Sequence, residues 1–219
     1  MKLVVQSIVT GPFQENTYIV GDQVSCQCVL IDPGDEGQKI IEVLEENNLQ
    51  PIAIINTHAH LDHIGAVAEI KERYRIPFYL HIAEKPVLES YQISTKMFGL
   101  QEKDTPSVDK WIKSGGPLKI GPFLFSIIET PGHTPGGCSY VIEDCVFVGD
   151  TLFQGSIGRT DLPGGDWPTL ENSLVKLMTS LNLDITVYSG HGPVTSLRIE
   201  KEQNPFLIPL KKRVNYGLK

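Results

Sequence analysis

The chain has 219 residues, enough to bury a full core, and its composition is that of a globular protein, 41% hydrophobic and 21% charged. Nineteen basic against 26 acidic side chains leave a net charge of −7, which disfavours nonspecific affinity for nucleic acid. No apolar stretch approaches the roughly 20 residues of a membrane span, and the four cysteines form neither a C-x-x-C pair nor a dense framework, so a reduced, cytoplasmic protein is expected.

Residues 3–9 and 17–20 alternate or run apolar and predict two strands, with Gly11-Pro12 at the turn; the opening stretch is too short and too alternating for a secretory signal. Cys28–Ile31 predicts a third strand, stopped by Asp32-Pro33-Gly34, with Cys26 and Cys28 on one face as small core residues. Asp35 reads as the start of a helix, with Gln38 in the capping-box position, an apolar stripe at Ile40, Ile41, Val43 and Leu44, and Asn47-Asn48 at its end. Pro51 to Ile55 is a short buried strand that stops at His58, His60, Asp62 and His63. Ile64, Val67, Ala68 and Ile70 then recur at helical steps. Ile76–Leu80 predicts another strand and Ala83–Tyr91 a short helix, whereas residues 92–116, with weak periodicity, read as a long surface loop.

Strands return at 117–120, 122–128, 138–142 and 145–149. A Gly-rich stretch from Gln154 to Asp166 precedes a helix opened by Pro168 that runs to Ser180; an apolar run covers Ile185 to Tyr188, and Ser196–Gln203 forms a last short helix. No fixed-period repeat or low-complexity linker divides the chain, so a single domain over 1–219 is expected. Composition and periodicity alone give a mixed α and β class.

The chemistry gathers at strand ends. His58, His60, Asp62 and His63 follow one buried strand, His133 follows another in Thr-Pro-Gly-His-Thr, Asp150 closes Val-Phe-Val-Gly-Asp, and His191 lies in Ser-Gly-His-Gly-Pro. Imidazole nitrogens and carboxylate oxygens are ligands that zinc, iron and manganese accept. Seven candidates exceed what one tetrahedral ion uses, which points to two adjacent ions. No G-x-S-x-G elbow is present to supply a serine nucleophile. His81, outside these motifs, reads as a packed or surface histidine. Thr134 and Thr151 read as turn caps or as donors behind the ligands, and Arg198, Lys201 and Lys211-Lys212-Arg213 as solvated basic groups.

His-Ala-His-Leu-Asp-His with the later Pro-Gly-His-Thr, Gly-Asp-Thr and Gly-His resembles the metallo-β-lactamase superfamily over nearly the whole chain. Within it, Thr-Pro-Gly-His-Thr-Pro-Gly-Gly, Gly-Arg-Thr-Asp-Leu-Pro-Gly-Gly-Asp and Ser-Gly-His-Gly-Pro are similar to the glyoxalase II branch, above all its short, single-domain bacterial members. The resemblance implies an α/β (α+β) class in the form of a four-layer αββα sandwich with its site at one edge. It implies two divalent metal ions, zinc first, with iron or manganese as substitutes. His58, His60 and His133 would hold one; Asp62, His63 and His191 the other; Asp150 would bridge them. It further implies hydrolysis of S-lactoylglutathione, or a related acyl thioester, by a metal-bound hydroxide, with Asp62 and Asp150 as catalytic carboxylates and Arg159 as a substrate contact. Arg159 reads equally well as the ion-pair partner of Asp161 or Asp166.

The chain departs from the longer members of that branch. They carry a basic, helical C-terminal extension that grips glutathione, and this chain ends at Lys219; Pro193 and Asp161 stand where tyrosines are expected. Hydrolysis is therefore better supported than glutathione specificity. The alternative within the superfamily is a persulfide dioxygenase, with a single Fe(II) on the positions of His58, His133 and Asp150.

Overall fold

Strands form wherever the sequence shows an apolar or alternating run. The computed structural model, which describes residues 1–101 and 103–210, gathers them into two mixed six-stranded sheets and one small hairpin. Residues 1–113 and 119–124 make one compact unit; residues 114–118 and those from 125 onward make the other.

In the first unit β1 (Leu3–Thr10), β2 (Glu15–Asp22) and β3 (Gln27–Ile31) form an antiparallel meander. The helix α1 (Gly37–Glu46) leads to β4 (Gln50–Ile55), which is followed by α2 (Leu61–Ile64), α3 (Val67–Tyr74), β5 (Phe78–His81), α4 (Lys85–Glu89), α5 (Tyr91–Met97) and β6 (Lys110–Ile112). β4, β5 and β6 extend the sheet in parallel with β3. A parallel strand is covered on both faces, which is why β4 reads as an uninterrupted apolar run; Ala53, Ile54 and Ile55 have no exposed surface. Leu30, Ile40, Leu44, Ile54, Val67 and Phe78 share one core cluster, each contributing about 1.5–3 kcal/mol by burial. Parallel pairing also sets the C-terminal ends of β3, β4 and β5 at one edge, directly before Asp32, His58 and Glu84.

Four local expectations are corrected. No capping box forms at α1: its N-cap is Glu36, in the left-handed region at φ 48° with no side-chain cap, and Asp35 instead accepts from the Glu36 amide and pairs with Lys103. The helix after the histidine cluster is two pieces, because the Ala66 amide donates to the Pro33 carbonyl at 3.0 Å. Residues 92–116 are not one loop, since most of α5 and all of β6 fall within them. α5 turns Tyr91 and Thr95 inward and leaves Ile93 and Met97 exposed, so its apolar stripe is hidden in the sequence. Cys26 is exposed at φ 57° in the turn before β3, and only Cys28 is core, its thiol pushed up to about 12 by burial.

The second unit's sheet runs β14-β13-β10-β9-β8-β7. In chain order its elements are β7 (Gly116–Ile120), β8 (Phe123–Glu129), β9 (Cys138–Ile142), β10 (Cys145–Gly149), β11 (Leu152–Phe153), β12 (Ser156–Ile157), α6 (Trp167–Ser180), β13 (Thr186–Ser189), β14 (Thr195–Ser196) and α7 (Leu197–Gln203). The 119–124 hairpin tip counts with the first unit. β10 pairs antiparallel with β9 and parallel with β13, so the ends of β10 and β13 and the start of β9 lie at one edge. The Asp166 carboxylate caps α6 by accepting from the Thr169 amide at 2.9 Å, and Pro168 sits in the first turn. Leu170, Leu174 and Leu177 of α6 pack with Val146, Val148 and Val187. The β11–β12 hairpin, two residues a strand, straddles the start of the Gly-rich stretch and has no sequence signal.

Arg198 makes a bidentate pair with Asp184 at 2.6 and 2.9 Å, and Lys211-Lys212-Arg213 lie outside the described residues. Among the described residues no helix is long and apolar enough to cross a membrane.

Candidate metal centre

The first unit holds His58 and His60 on the turn between β4 and α2, and Asp62 and His63 in α2 itself. His58 and His63 are buried, while His60 and Asp62 are half-buried. The His58 ring lies 4.0 Å from that of His63 and 4.9 Å from that of His60. Asn56 closes the turn by donating from Nδ2 to the His63 carbonyl at 2.7 Å.

Behind these rings stands buried Asp32. It accepts from the Thr57 amide at 2.6 Å and from the Thr57 hydroxyl, and its Oδ2 is 3.1 Å from His63 Nδ1. A nitrogen facing a carboxylate carries the proton, so His63 Nδ1 is the donor and Nε2 keeps its lone pair. Thr57 Oγ1, having donated to Asp32, is the acceptor for His58 Nδ1 at 3.0 Å, which fixes His58 in the same tautomer. One carboxylate thus orients two imidazoles, the usual support for metal-binding histidines. Atoms of Asp32, His58 and His63 lie within 4.8 Å of one another, a grouping able to hold an ion.

Two further buried carboxylates brace the turn. Glu84 Oε2 accepts from the amide of Ala59, the residue between His58 and His60, at 2.8 Å. Glu15 Oε2 accepts from the hydroxyls of Thr10 and Thr17 at 2.9 and 3.0 Å, and its Oε1 is 3.9 Å from His63 Nδ1. Burial pushes the Glu15 carboxyl well above the usual carboxylate range. The backbone closes tightly here: a Cβ on Gly34 would lie 1.9 Å from the Asp62 carbonyl oxygen, so only glycine lets the Asp32-Pro33-Gly34 turn meet the metal turn.

The second unit brings together His133, Asp150 and His191. Asp150 Oδ2 lies 3.5 Å from His133 Nε2 and 3.6 Å from His191 Nε2. His133 Nδ1 donates to the Arg159 carbonyl at 2.7 Å, again leaving Nε2 with its lone pair. The parallel β10–β13 pair positions Asp150 beside His191, reinforced by the Gly190 amide on the Gly149 carbonyl at 2.8 Å and Ser189 Oγ on the Leu152 carbonyl at 2.6 Å. Gly158 presses on the same turn, where a Cβ would lie 1.8 Å from the Asp150 carbonyl oxygen.

Thr151 donates to Thr130 Oγ1 at 3.3 Å, and Thr134 is fully buried. Arg159 forms a bidentate pair with Asp161 at 2.7 and 2.8 Å, and this guanidinium holds the Asp161 carboxyl at about 2. His81 is buried at the end of β5, its Nδ1 accepting from the Ala83 amide at 3.4 Å.

The donor set suits divalent ions. Atoms bound to one ion at about 2.0–2.2 Å stand roughly 3–3.6 Å apart, the separation of the Asp150 oxygen from both imidazole nitrogens. The sequence reading missed Asp32, Thr57, Glu15 and Glu84. Asp32 alone carried a usable signal, since it ends a buried strand just as Asp150 does.

The model of the metallo-beta-lactamase superfamily matches residues 10–191. The probable metallo-hydrolase YqgX of Bacillus subtilis is 45% identical over 202 residues, covering 90% of this chain and 94% of that protein. Hydroxyacylglutathione hydrolase GloC of Haemophilus influenzae is 37% identical over 207 residues, 93% of this chain and 97% of its own. Among solved structures, the BLEG-1 B3 metallo-beta-lactamase matches with TM-score 0.88 at 39% identity, over 93% of this chain and 99% of that one. The di-iron-bound form of TTHA1623 matches with TM-score 0.85 at 40% identity, over 92% and 100%. ETHE1 from Myxococcus xanthus matches with TM-score 0.76 at 27% identity, over 97% and 91%.

Proposed function

Because the chain belongs to the metallo-β-lactamase superfamily, a family of metallo-hydrolases, we propose that it is a cytoplasmic, glyoxalase II-like thioesterase acting on S-lactoylglutathione or a related acyl thioester. The observation that carries this reading is Asp150 Oδ2 standing between two imidazole nitrogens at 3.5 and 3.6 Å, the placement of a carboxylate shared by two ions. The likeness to GloC over nearly its full length supports the substrate class.

In this proposal the two units form one catalytic domain. His58, His60 and His133 would hold one ion, Asp62, His63 and His191 would hold the other, and Asp150 would serve both. When bound, two divalent ions supply Lewis acidity to the thioester carbonyl and acidify a coordinated water. Asp32 and Thr57 keep His58 and His63 in the tautomer that ligates through Nε2. Asp62 and Asp150 are the proposed catalytic carboxylates, which would accept hydrogen bonds from the attacking water. Hydrolysis forms the carbon–oxygen bond to water and breaks the carbon–sulfur bond, with the proton passing to the departing thiolate. Arg159 is the proposed contact for a substrate carboxylate. Its exposed pair with Asp161 is screened by solvent and therefore cheap to exchange.

Zinc is the first expectation. The di-iron form of TTHA1623 makes the native metal the first quantity to measure. The test is loss of thioester absorbance from S-D-lactoylglutathione by protein of known metal content, with chelator and metal add-back. Metal-dependent turnover supports the proposal. Faster turnover of nitrocefin would move it to β-lactams. The likeness to ETHE1 favours a second reading, persulfide oxidation by dioxygen with one iron on His58, His133 and Asp150. No thioester turnover, about one iron per chain and oxygen uptake on glutathione persulfide would select it.

A further inference from the structure

The first unit contains a cavity of about 120 Å³ beside the metal turn. Leu61 and Asp62 form the wall towards the proposed ligands, Tyr91 and Thr95 line it from α5, and Asp35 and Lys103 line it as a directly contacting ion pair. Among the described residues, Lys103 is the one lysine or arginine that lines it.

Both charges are held by their backbones. The Asp35 amide donates to Thr10 Oγ1 at 3.1 Å and its Oδ1 accepts from the Glu36 amide at 2.7 Å; the Lys103 carbonyl accepts from Gln92 Nε2. The side chains keep about a third of their surface exposed, 34% for Lys103 and 31% for Asp35. A pair this wet adds little stability, yet it stands preorganised next to Asp62.

We propose that this cavity is the carrier subsite of the thioesterase and reads the zwitterionic α-amino-acid end of the thiol carrier. The proposal rests on the thioesterase reading above. An entering carboxylate takes the Lys103 ammonium and an entering ammonium takes the Asp35 carboxylate, so every charge stays paired. A carrier with negative charges alone takes Lys103 and leaves Asp35 unpaired, which works against it. The apolar faces of Leu61 and Tyr91 cover the methylene stem that joins this doubly charged carbon to the rest of the carrier.

The test compares three thioesters of one acyl group on the metal-loaded full chain: S-D-lactoylglutathione, its N-acetyl derivative and S-D-lactoyl-coenzyme A. Capping the ammonium should raise KM by about tenfold or more with kcat kept, and the coenzyme A ester should be poorer still. Lys103→Met should raise KM for the parent ester similarly, with kcat and metal content unchanged. A lysine that only pins its loop would instead lower Tm and depress kcat for all three esters alike.

Equal KM for the parent and N-acetyl esters overturns the subsite. If none of the three esters is turned over, the thioesterase reading falls, and calorimetry with S-methylglutathione and its N-acetyl derivative decides the subsite separately. Preference for the uncapped ligand keeps it; equal binding or none removes it.

Discussion

Ala59 has no functional side chain, yet its amide is the fixed point between two ligand candidates because Glu84 accepts from it at 2.8 Å inside the protein. Glu84→Ala would strand that N–H at a cost of about 1–3 kcal/mol and loosen both neighbouring imidazoles. Metal affinity, read by chelator competition, should fall by roughly 10–100-fold; unchanged affinity would remove Glu84 from the support of the site. Asp22 acts far from the metals. The Lys2 amide, at 2.8 Å, is the main group that lowers its carboxyl to about 2. A folded-state value below the unfolded one, about 3.9, gives stability that is present above the unfolded value and lost as pH falls through the folded one. Asp22→Asn should therefore lower Tm at pH 7, and the gap to the parent should close between about pH 4 and pH 2. A gap that persists at pH 2 would show that the carboxylate charge is not the cause.

Elements were legible in proportion to how much apolar surface they bury. β4 and α6 stand out in the sequence because one is buried on both faces and the other keeps a Leu170-Leu174-Leu177 stripe. α5 and β6 do not, since a helix with Ile93 and Met97 facing water and a strand of three residues break the periodic signal. The break between α2 and α3 was equally hidden, because the Pro33 carbonyl that causes it comes from a different part of the chain. At this scale Gly158 offers a test of how tightly the 150–158 turn is packed. Gly158→Ala drives a methyl to 1.8 Å from the Asp150 carbonyl oxygen. Overpacking of this kind costs about 1–3 kcal/mol, or about 2–4 °C in Tm per kcal/mol for a chain of this size. Metal affinity should fall with it, because the Asp150 backbone must move. An unshifted melting curve with full metal content would show that the turn yields freely.

Across the whole molecule, the ligand candidates were the most legible feature because His58, His60, Asp62, His63, His133, Asp150 and His191 all follow buried strands. The groups that orient them were not. Asp32, Glu15 and Glu84 come from separate elements, and, the strand-end position of Asp32 apart, nothing in their local sequence separates a buried carboxylate from a surface one. The sheet that presents the first cluster also implies an order of assembly. β1 and β2 pair across a four-residue turn, a local event, whereas β3, β4 and β5 pair only after whole helices have been laid between them. In refolding of metal-free protein, pulse-labelled amides of β1 and β2 should be protected before those of β4 and β5, with the Ala59 amide among the last; the reverse order would refute this. A nascent chain would then complete its imidazole cluster only at the end of folding, so that ion capture acts as a final quality check and not as a nucleus.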